Sequence, residues 1–265
     1  MMDTAPIQTE QMRGDKVMTN PNVDKYVLSL YDYTGEALVP WAEAGYSCIA
    51  FDIQHDDTVT DVFGSGGSIK YVHADLHDHK TLKDLYSKFK LEILQGATIA
   101  FGMAFPVCTD LAVSGAAHFK RKEKENPGFQ QKAALHAIRA AHLFNKLGVP
   151  FFIENPVSVL STLWRKPDYS FHPYEYGNYI PDDQAEHPLW PDYIAAKDAY
   201  PKKTCLWTSK SFKMPWADAV EPENGHSRQH LKLGGKSMKT KNIRSATPRG
   251  FARAVYEFNS EGLTQ

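Results

Sequence analysis

Cysteine is scarce in this sequence of 265 residues. It occurs three times, as Cys48, Cys108 and Cys205, and no two cysteines form a Cys-x-x-Cys pair. The scarcity argues against a disulfide framework, and the lack of a pair argues against a structural zinc site. The histidines at positions 55, 73, 77 and 79 match no common ligand spacing either, so we expect no metal.

Long apolar runs are also missing. No apolar run reaches 18 residues, and the opening MMDTAPIQTEQMRGDKVMTN lacks the apolar stretch of a signal peptide. We therefore expect a soluble cytoplasmic protein without a membrane partner. The formal net charge of -1 gives no reason to expect nucleic acid, although a local basic patch could still bind it.

The remaining pattern is one of short apolar runs that alternate with amphipathic stretches. Residues 1–24 are polar and aperiodic, which predicts a flexible tail. Strands are predicted at 25–31, 47–51, 68–73, 97–101 and 150–153, and helices at 35–45, 82–89, 131–147 and 248–258. This alternation predicts an α/β fold with a mostly parallel, doubly wound sheet. Residues 165–201 read as a long ordered loop, and residues 202–213 as a basic, strand-like segment.

Polar residues follow the predicted strands at the points where the strands end. Asp32, Asp52 and Asp75 follow the first three strands, and Cys108 and Glu154 follow the last two. Ligands of doubly wound sheets lie at the carboxyl ends of the strands, so this coincidence predicts a functional edge. An acid at such a position can also cap a helix, and Asp32 can belong to a simple turn.

A thiol on one strand-end loop and a Glu-Asn pair on another suit chemistry at carbon 5 of cytosine. That ring is too unreactive to attack a methyl donor directly. A thiolate that adds at C6, together with an acid that protonates N3, makes C5 nucleophilic. Cys108 would be the thiolate and Glu154 the acid.

The order of motifs resembles that of the cytosine-C5 DNA methyltransferase family, in particular its short phage-borne members. The resemblance runs through SLYDYTGEALVPWAEAGY, AFDIQH, HADLHD, FGMAFPVCTDLAVSG, FFIENP, KKTCLW and RSATPRGFARAVYEF. It implies a Rossmann-like domain that uses S-adenosylmethionine, with a reduced second lobe, acting on a DNA base flipped out of the duplex. A phage origin would place the protein in the host cytoplasm.

The resemblance also implies roles for individual residues. The catalytic residues would be Cys108, Glu154, Asn155 and Lys203. The cofactor would contact Tyr31, Asp32, Gly35, Asp52, Asp75, Pro106, Ser245 and Thr247. The DNA would contact Ser114, Lys232, Lys236, Lys239 and Arg244, although the basic stretch that holds the last four is equally typical of an ordinary solvated face.

The chain departs from the family pattern at four positions. Ser29 stands where the family has an acid, Tyr33 where it has a glycine, Val107 where it has a proline, and Pro156 where it commonly has a valine. The implied domains are a cofactor-binding and catalytic domain at 25–209, a reduced target-recognition region at 210–243 and a segment at 244–265 that packs back on the catalytic domain.

Alternatives to methylation of duplex DNA stay open at this point. The small recognition region also fits a single strand, a free pyrimidine nucleotide, a modified methyl donor, or an accessory protein that supplies target recognition. A non-catalytic nucleic-acid-binding module that keeps the fold is a further alternative.

Overall fold

One mixed sheet of eight strands organises the computed structural model, which describes residues 20–56, 58–234 and 237–260. The strands are β1 (Lys25–Leu30), β2 (Ser47–Asp52), β3 (Val59–Val62), β4 (Ser68–His73), β5 (Thr98–Ala104), β6 (Phe151–Pro156), β7 (Tyr169–Phe171) and β8 (Thr204–Thr208). Their order across the sheet is β3-β4-β2-β1-β5-β6-β8-β7.

The five predicted strands form the parallel centre of the sheet. β4, β2, β1, β5 and β6 are mutually parallel, which confirms the α/β prediction and is consistent with a Rossmann-like fold. The flanking strands are antiparallel, since β3 pairs with β4, β8 with β6, and β7 with β8. The sequence pattern did not predict β3 or β7, because β3 exposes all four of its residues and β7 has only three.

Helices cover both faces of the sheet. They are α1 (Val39–Glu43), α2 (His79–Leu94), α3 (Phe119–Glu125), α4 (Phe129–Leu147), α5 (Leu160–Leu163), α6 (Arg228–Lys232), α7 (Met238–Ser245) and α8 (Arg249–Ser260). The alternation along β1 shows the two faces: Leu28 packs with residues of α2 and α4, and Val27 packs with α1 and α8. The predicted helix at 35–45 is shorter, because a 3-10 turn at Glu36–Leu38 precedes α1.

The long segment after β6 is ordered by short elements. It holds β7 and three 3-10 turns where a long ordered loop was predicted. Ile194, Tyr200, Leu233 and Ile243 form a small core of their own that joins this segment to α6 and α7.

The amino-terminal end of the described chain is anchored to the fold. Residues 1–19 of the predicted tail lie outside the described residues. Within residues 20–24, Asn20 donates to the carbonyl of Gly45 at 2.7 Å, and Asn22 donates to that of Ala44 at 2.9 Å. No helix in the described part of the chain has the length and apolar character needed to cross a membrane.

Candidate active site

The sheet brings three polar strand ends together at its switch point. From β1 the chain continues to β2 on one side, and β5 lies on the other side, with β6 beyond it. Asp32 follows β1, Cys108 follows β5, and Glu154 lies near the end of β6. Because these strands are parallel neighbours, their carboxyl ends meet at one edge, where ligands of such sheets bind.

The loop that carries Cys108 is tied to the end of β6 by backbone hydrogen bonds. The carbonyl of Cys108 accepts from the amides of Leu111 and Ala112, each at 2.9 Å. The amide of Val113 donates to the carbonyl of Val157 at 3.1 Å, and the amide of Val159 donates to that of Leu111 at 3.0 Å. These bonds hold the thiol beside the strand that carries Glu154.

Asn155 fixes the start of the same loop. Its side chain is fully buried, and its Nδ2 donates to the carbonyl of Pro106 at 3.0 Å. Pro106 stands two residues before Cys108, so this bond sets where the loop leaves β5. The Oδ1 of Asn155 is buried and accepts no hydrogen bond from the described residues.

The ionisation of Cys108 depends on the charge of Glu154. Burial raises the pKa of the Glu154 carboxyl, and the Lys202 ammonium opposes that rise. Burial also raises the pKa of the Cys108 thiol, a negative charge on Glu154 raises it further, and Lys202 again opposes. Proton uptake by Glu154 therefore favours the Cys108 thiolate, which is the pairing that a nucleophile and a neighbouring acid need.

Lys202 is a site residue that the sequence did not single out. Its charge acts on both Cys108 and Glu154, and its Nζ donates to the carbonyl of Arg244 at 2.8 Å. The predicted Lys203 is exposed, and its charge acts on Cys205. Two adjacent lysines are indistinguishable in sequence, and only the direction of the backbone before β8 separates them.

The loop after β1 is built around the Asp32 carboxylate. Its Oδ2 accepts from the Ser29 hydroxyl at 2.7 Å, and its Oδ1 accepts from the Gly35 amide at 2.8 Å. Burial raises the pKa of Asp32, and these bonds oppose the rise. Both oxygens of Asp32 are therefore engaged within the loop.

The backbone of this loop is unusual at its two ends. Tyr31 has a φ of 58°, a backbone conformation that residues other than glycine seldom adopt, and Gly35 has a φ of 69°. A Cβ at Gly35 would also lie 2.8 Å from the Tyr71 hydroxyl, so glycine is required there twice over. The Tyr31 hydroxyl donates to the carbonyl of Leu76 at 3.0 Å, which ties the loop to the end of β4.

The other two predicted acids keep part of their hydrogen-bonding capacity. Asp52 Oδ1 accepts from the Gln54 amide at 2.8 Å, and Asp75 Oδ1 accepts from the His77 amide at 3.0 Å. No described residue donates to the second oxygen of either carboxylate. Asp52 is nearly buried at the end of β2, whereas Asp75 is exposed after β4.

Glu154 lines a small pocket together with two predicted cofactor contacts from near the end of the chain. Ser245 and Thr247 line it together with Glu154, and Phe105 and Phe152 are among its apolar walls. Residues far apart in sequence thus share one cavity beside the Cys108 loop.

The predicted nucleic-acid contacts are scattered and mostly engaged elsewhere. Ser114 is exposed on a 3-10 helix that follows the Cys108 loop. Lys232 donates to the carbonyl of Asp192 at 2.8 Å, the Lys239 ammonium lies 5.7 Å from the centroid of the Tyr193 ring, and Arg244 donates to the carbonyl of Leu233 at 2.7 Å. Lys236 lies outside the described residues.

Histidines form one contact at the functional edge that the sequence did not predict. His77 Nδ1 lies 3.0 Å from His136 Nε2, and the Tyr31 ring packs edge-on against both. Burial, with positive charge on His77 and Arg139, lowers the pKa of His136 to about 4. His55 is buried, and its Nε2 lies 3.2 Å from the carbonyl of Asp32. Within residues 20–56, 58–234 and 237–260, no three metal-ligating side chains come together.

No protein-family model matches the chain, and no curated protein matches it.

Proposed function

We propose that the protein transfers a methyl group from S-adenosylmethionine to C5 of cytosine in DNA. The observation that carries the proposal is the meeting of Cys108 and Glu154 at adjacent strand ends, with Lys202 acting on both. A half-buried carboxyl beside a thiol, at the edge where such sheets bind ligands, is the pair that C5 chemistry requires.

Covalent addition begins the proposed reaction. The Cys108 thiolate forms a bond to C6 while the Glu154 carboxyl donates its proton to N3, so the electron pair of the C5–C6 bond becomes available at C5. Burial raises the pKa of the Glu154 carboxyl, which favours the protonated form that this step needs. Its resulting negative charge lies close to the Lys202 ammonium.

Elimination ends the reaction. After C5 has accepted the methyl group, a base removes the C5 proton and the pair re-forms the C5–C6 bond as the Cys108 sulfur leaves. Glu154 takes back the N3 proton, which returns the carboxyl and the thiolate to their starting states. Asn155 holds the Pro106 carbonyl throughout and so keeps the sulfur in place.

The residues at the carboxyl edge fit the cofactor that this reaction uses. S-adenosylmethionine supplies an electrophilic methyl group when it is bound. Asp52 and Asp75 each have one carboxylate oxygen free among the described residues, as acceptors for ribose hydroxyls and an adenine amino group. Ser245 and Thr247 line the small pocket beside Glu154 and would add hydroxyl groups to the same edge.

The direct test is mass spectrometry of nucleosides from DNA incubated with the protein and S-adenosylmethionine. We expect 5-methylcytosine from the wild type and from Cys48→Ala, whose cysteine lies in β2 inside the core, and none from Cys108→Ala. Product from Cys108→Ala would refute the role of the thiol. No product from a wild type that binds the cofactor would refute methylation of DNA.

A second candidate substrate is a free pyrimidine nucleotide or a single strand. It is favoured by the small region at 210–243, because Lys232 and Lys239 there contact Asp192 and Tyr193 of the protein itself. Competition among duplex, single strand and dCMP in the same assay separates the candidates. A non-catalytic module would instead bind nucleic acid and show no heat of binding with S-adenosylmethionine.

A further inference from the structure

A groove between α2 and α4 concentrates positive charge away from the Cys108 loop. His79, Lys83 and Tyr86 line it from α2, and Arg139, His142 and Lys146 line it from α4. The floor is apolar, formed by Leu82 and Leu143. The acids of α2, Asp84 and Glu92, are not among the lining residues.

Basic residues continue along one face of α4. Lys132, His136, Arg139, His142 and Lys146 follow one another at intervals of four, three, three and four residues. Those intervals place their side chains on a single face of an α-helix. Because burial lowers the pKa of His136 to about 4, that ring is neutral near pH 7, and the permanent charges are those of Lys132, Arg139 and Lys146. The sequence of α4, FQQKAALHAIRAAHLFNKL, contains no aspartate or glutamate, so nothing in the helix offsets this stripe.

The groove's cations have no carboxylate at ion-pair distance among the described residues. Among the described residues, Lys83, Arg139 and Lys146 form no ion pair with a carboxylate, whereas Arg121, Arg165 and Arg228 each pair with one. The Lys146 ammonium lies 5.5 Å from the centroid of the Tyr86 ring. Unpaired cations side by side repel one another, and a polyanion relieves that repulsion.

We propose that this groove binds the phosphate backbone of duplex DNA, as a second contact separate from the Cys108 site. The stripe from Lys132 to Lys146 spans about 21 Å at 1.5 Å per residue, which is the rise of roughly six base pairs. A single nucleotide would reach only part of that length. Because Lys146 lies over the Tyr86 ring, the groove favours contact with phosphates over stacking on bases.

The position of the groove suits such a contact. α2 and α4 begin at the carboxyl edge of the sheet, where His136 touches Tyr31, and the groove extends from there along the outer surface. DNA engaged at the edge could therefore be held by phosphates outside the reacting base pair. The identity of the polyanion as DNA rests on the proposed function.

The test measures binding of a 30-base-pair duplex by fluorescence anisotropy over a range of salt concentrations. The groove variant is Lys83→Gln/Arg139→Gln/Lys146→Gln. The control, Lys70→Gln/Lys88→Gln/Lys166→Gln, removes the same charge from exposed lysines that do not line the groove. The double variant Lys83→Gln/Lys146→Gln changes exposed side chains alone and guards against a folding defect at the half-buried Arg139.

We expect the groove variant to bind about tenfold or more weakly and its salt slope to fall by roughly two to three, since each phosphate contact contributes about 0.9. The salt slope of the double variant should fall by somewhat less than two, and the control should bind like the wild type with an unchanged slope. Equal binding by groove variant and control, or no duplex binding by the wild type, would overturn the proposal. Duplex binding that depends on the groove, without methyl transfer, would overturn the proposed function and leave the groove standing.

Discussion

The two loops at the switch point of the sheet are held in different ways. The loop after β1 closes around one buried carboxylate, because Asp32 accepts from both Ser29 and Gly35. The loop after β5 is held mainly by backbone bonds to the residues after β6, and it leaves Val107 and Val113 about half exposed. The first loop is thus fixed by buried side-chain hydrogen bonds, whereas the second is more exposed and carries the thiol.

This difference predicts different sensitivities to mutation. Loss of one side chain in the first loop leaves buried donors without an acceptor, which lowers stability. Loss of a side chain near the second loop leaves most of its bonds intact and mainly affects reactivity.

Asp32→Ala should have the largest effect. The variant leaves the Ser29 hydroxyl and the Gly35 amide without an acceptor, and each buried unsatisfied donor costs about 1–3 kcal/mol. We expect the free energy of unfolding to fall by about 4 kcal/mol in urea denaturation.

Asp32→Asn is the matched control, because it keeps one acceptor oxygen and should lose about half as much. A change below about 0.5 kcal/mol in Asp32→Ala would mean that the carboxylate does not hold the loop.

Glu36→Gln should remove a pH dependence of stability from the first loop. Burial raises the pKa of Glu36 from 4.5 to about 7, although Arg249 opposes the rise. Between these values the unfolded chain is ionised and the folded protein keeps the proton, so stability falls as the pH rises from about 4.5 to about 7. The decrease is at most on the order of 3 kcal/mol, since one pKa unit corresponds to about 1.4 kcal/mol.

Urea denaturation across pH 5–8 checks this, and the Gln variant should lack that decrease. His187, whose Nε2 lies 3.9 Å from Glu36 Oε1, contributes with the opposite sign. Burial lowers its pKa to about 4, so its contribution to stability is lost as the pH falls below about 6.5. Identical pH profiles for the wild type and Glu36→Gln would contradict the assignment to Glu36.

Asn155→Ala should have a larger effect on turnover than on the stability of the loop after β1. The variant frees the Pro106 carbonyl and lets the Cys108 loop move, which we expect to lower kcat about 30-fold. Asn155→Asp has nearly the same size but no amide donor, so it should lose about as much. Full activity of Asn155→Asp would show that the bond to Pro106 does not position the thiol.

Lys202→Gln should have the smallest effect of these variants. Removal of its charge raises the pKa of both Cys108 and Glu154, so kcat/KM should fall about tenfold and its pH profile should shift to higher pH. Lys203→Gln is the matched control and should stay within about twofold of the wild type. A larger loss of kcat/KM in Lys203→Gln than in Lys202→Gln would assign the catalytic role to Lys203, as the sequence resemblance implied.

The sequence was a sufficient guide to the parallel centre of the sheet and to the strand ends. Apolar runs such as Ala97–Phe101 predict buried strands, and the polar residues after them indicate the carboxyl edge of the sheet. β3 has no such signal, because none of its four residues is buried. Contacts that depend on the fold were also beyond reach, such as that of His77 with His136, which lies 59 positions away.

The role of Asp32 shows why site residues are harder to predict than strands. Its position after β1 was readable, but its partners depend on a loop in which Tyr31 adopts a φ of 58°. Sequence spacing does not encode that conformation, so a predicted ligand-binding acid proves to be engaged within the loop.

Covalent trapping tests the central claim most directly. A duplex that carries 5-fluorocytosine lacks the C5 proton whose removal precedes release of the sulfur, so the adduct should persist. With S-adenosylmethionine present, we predict a complex that survives denaturation and maps by mass spectrometry to Cys108, and none from Cys108→Ala. Trapping that persists in Cys108→Ala, or none by a wild type that binds both duplex and cofactor, would contradict the account.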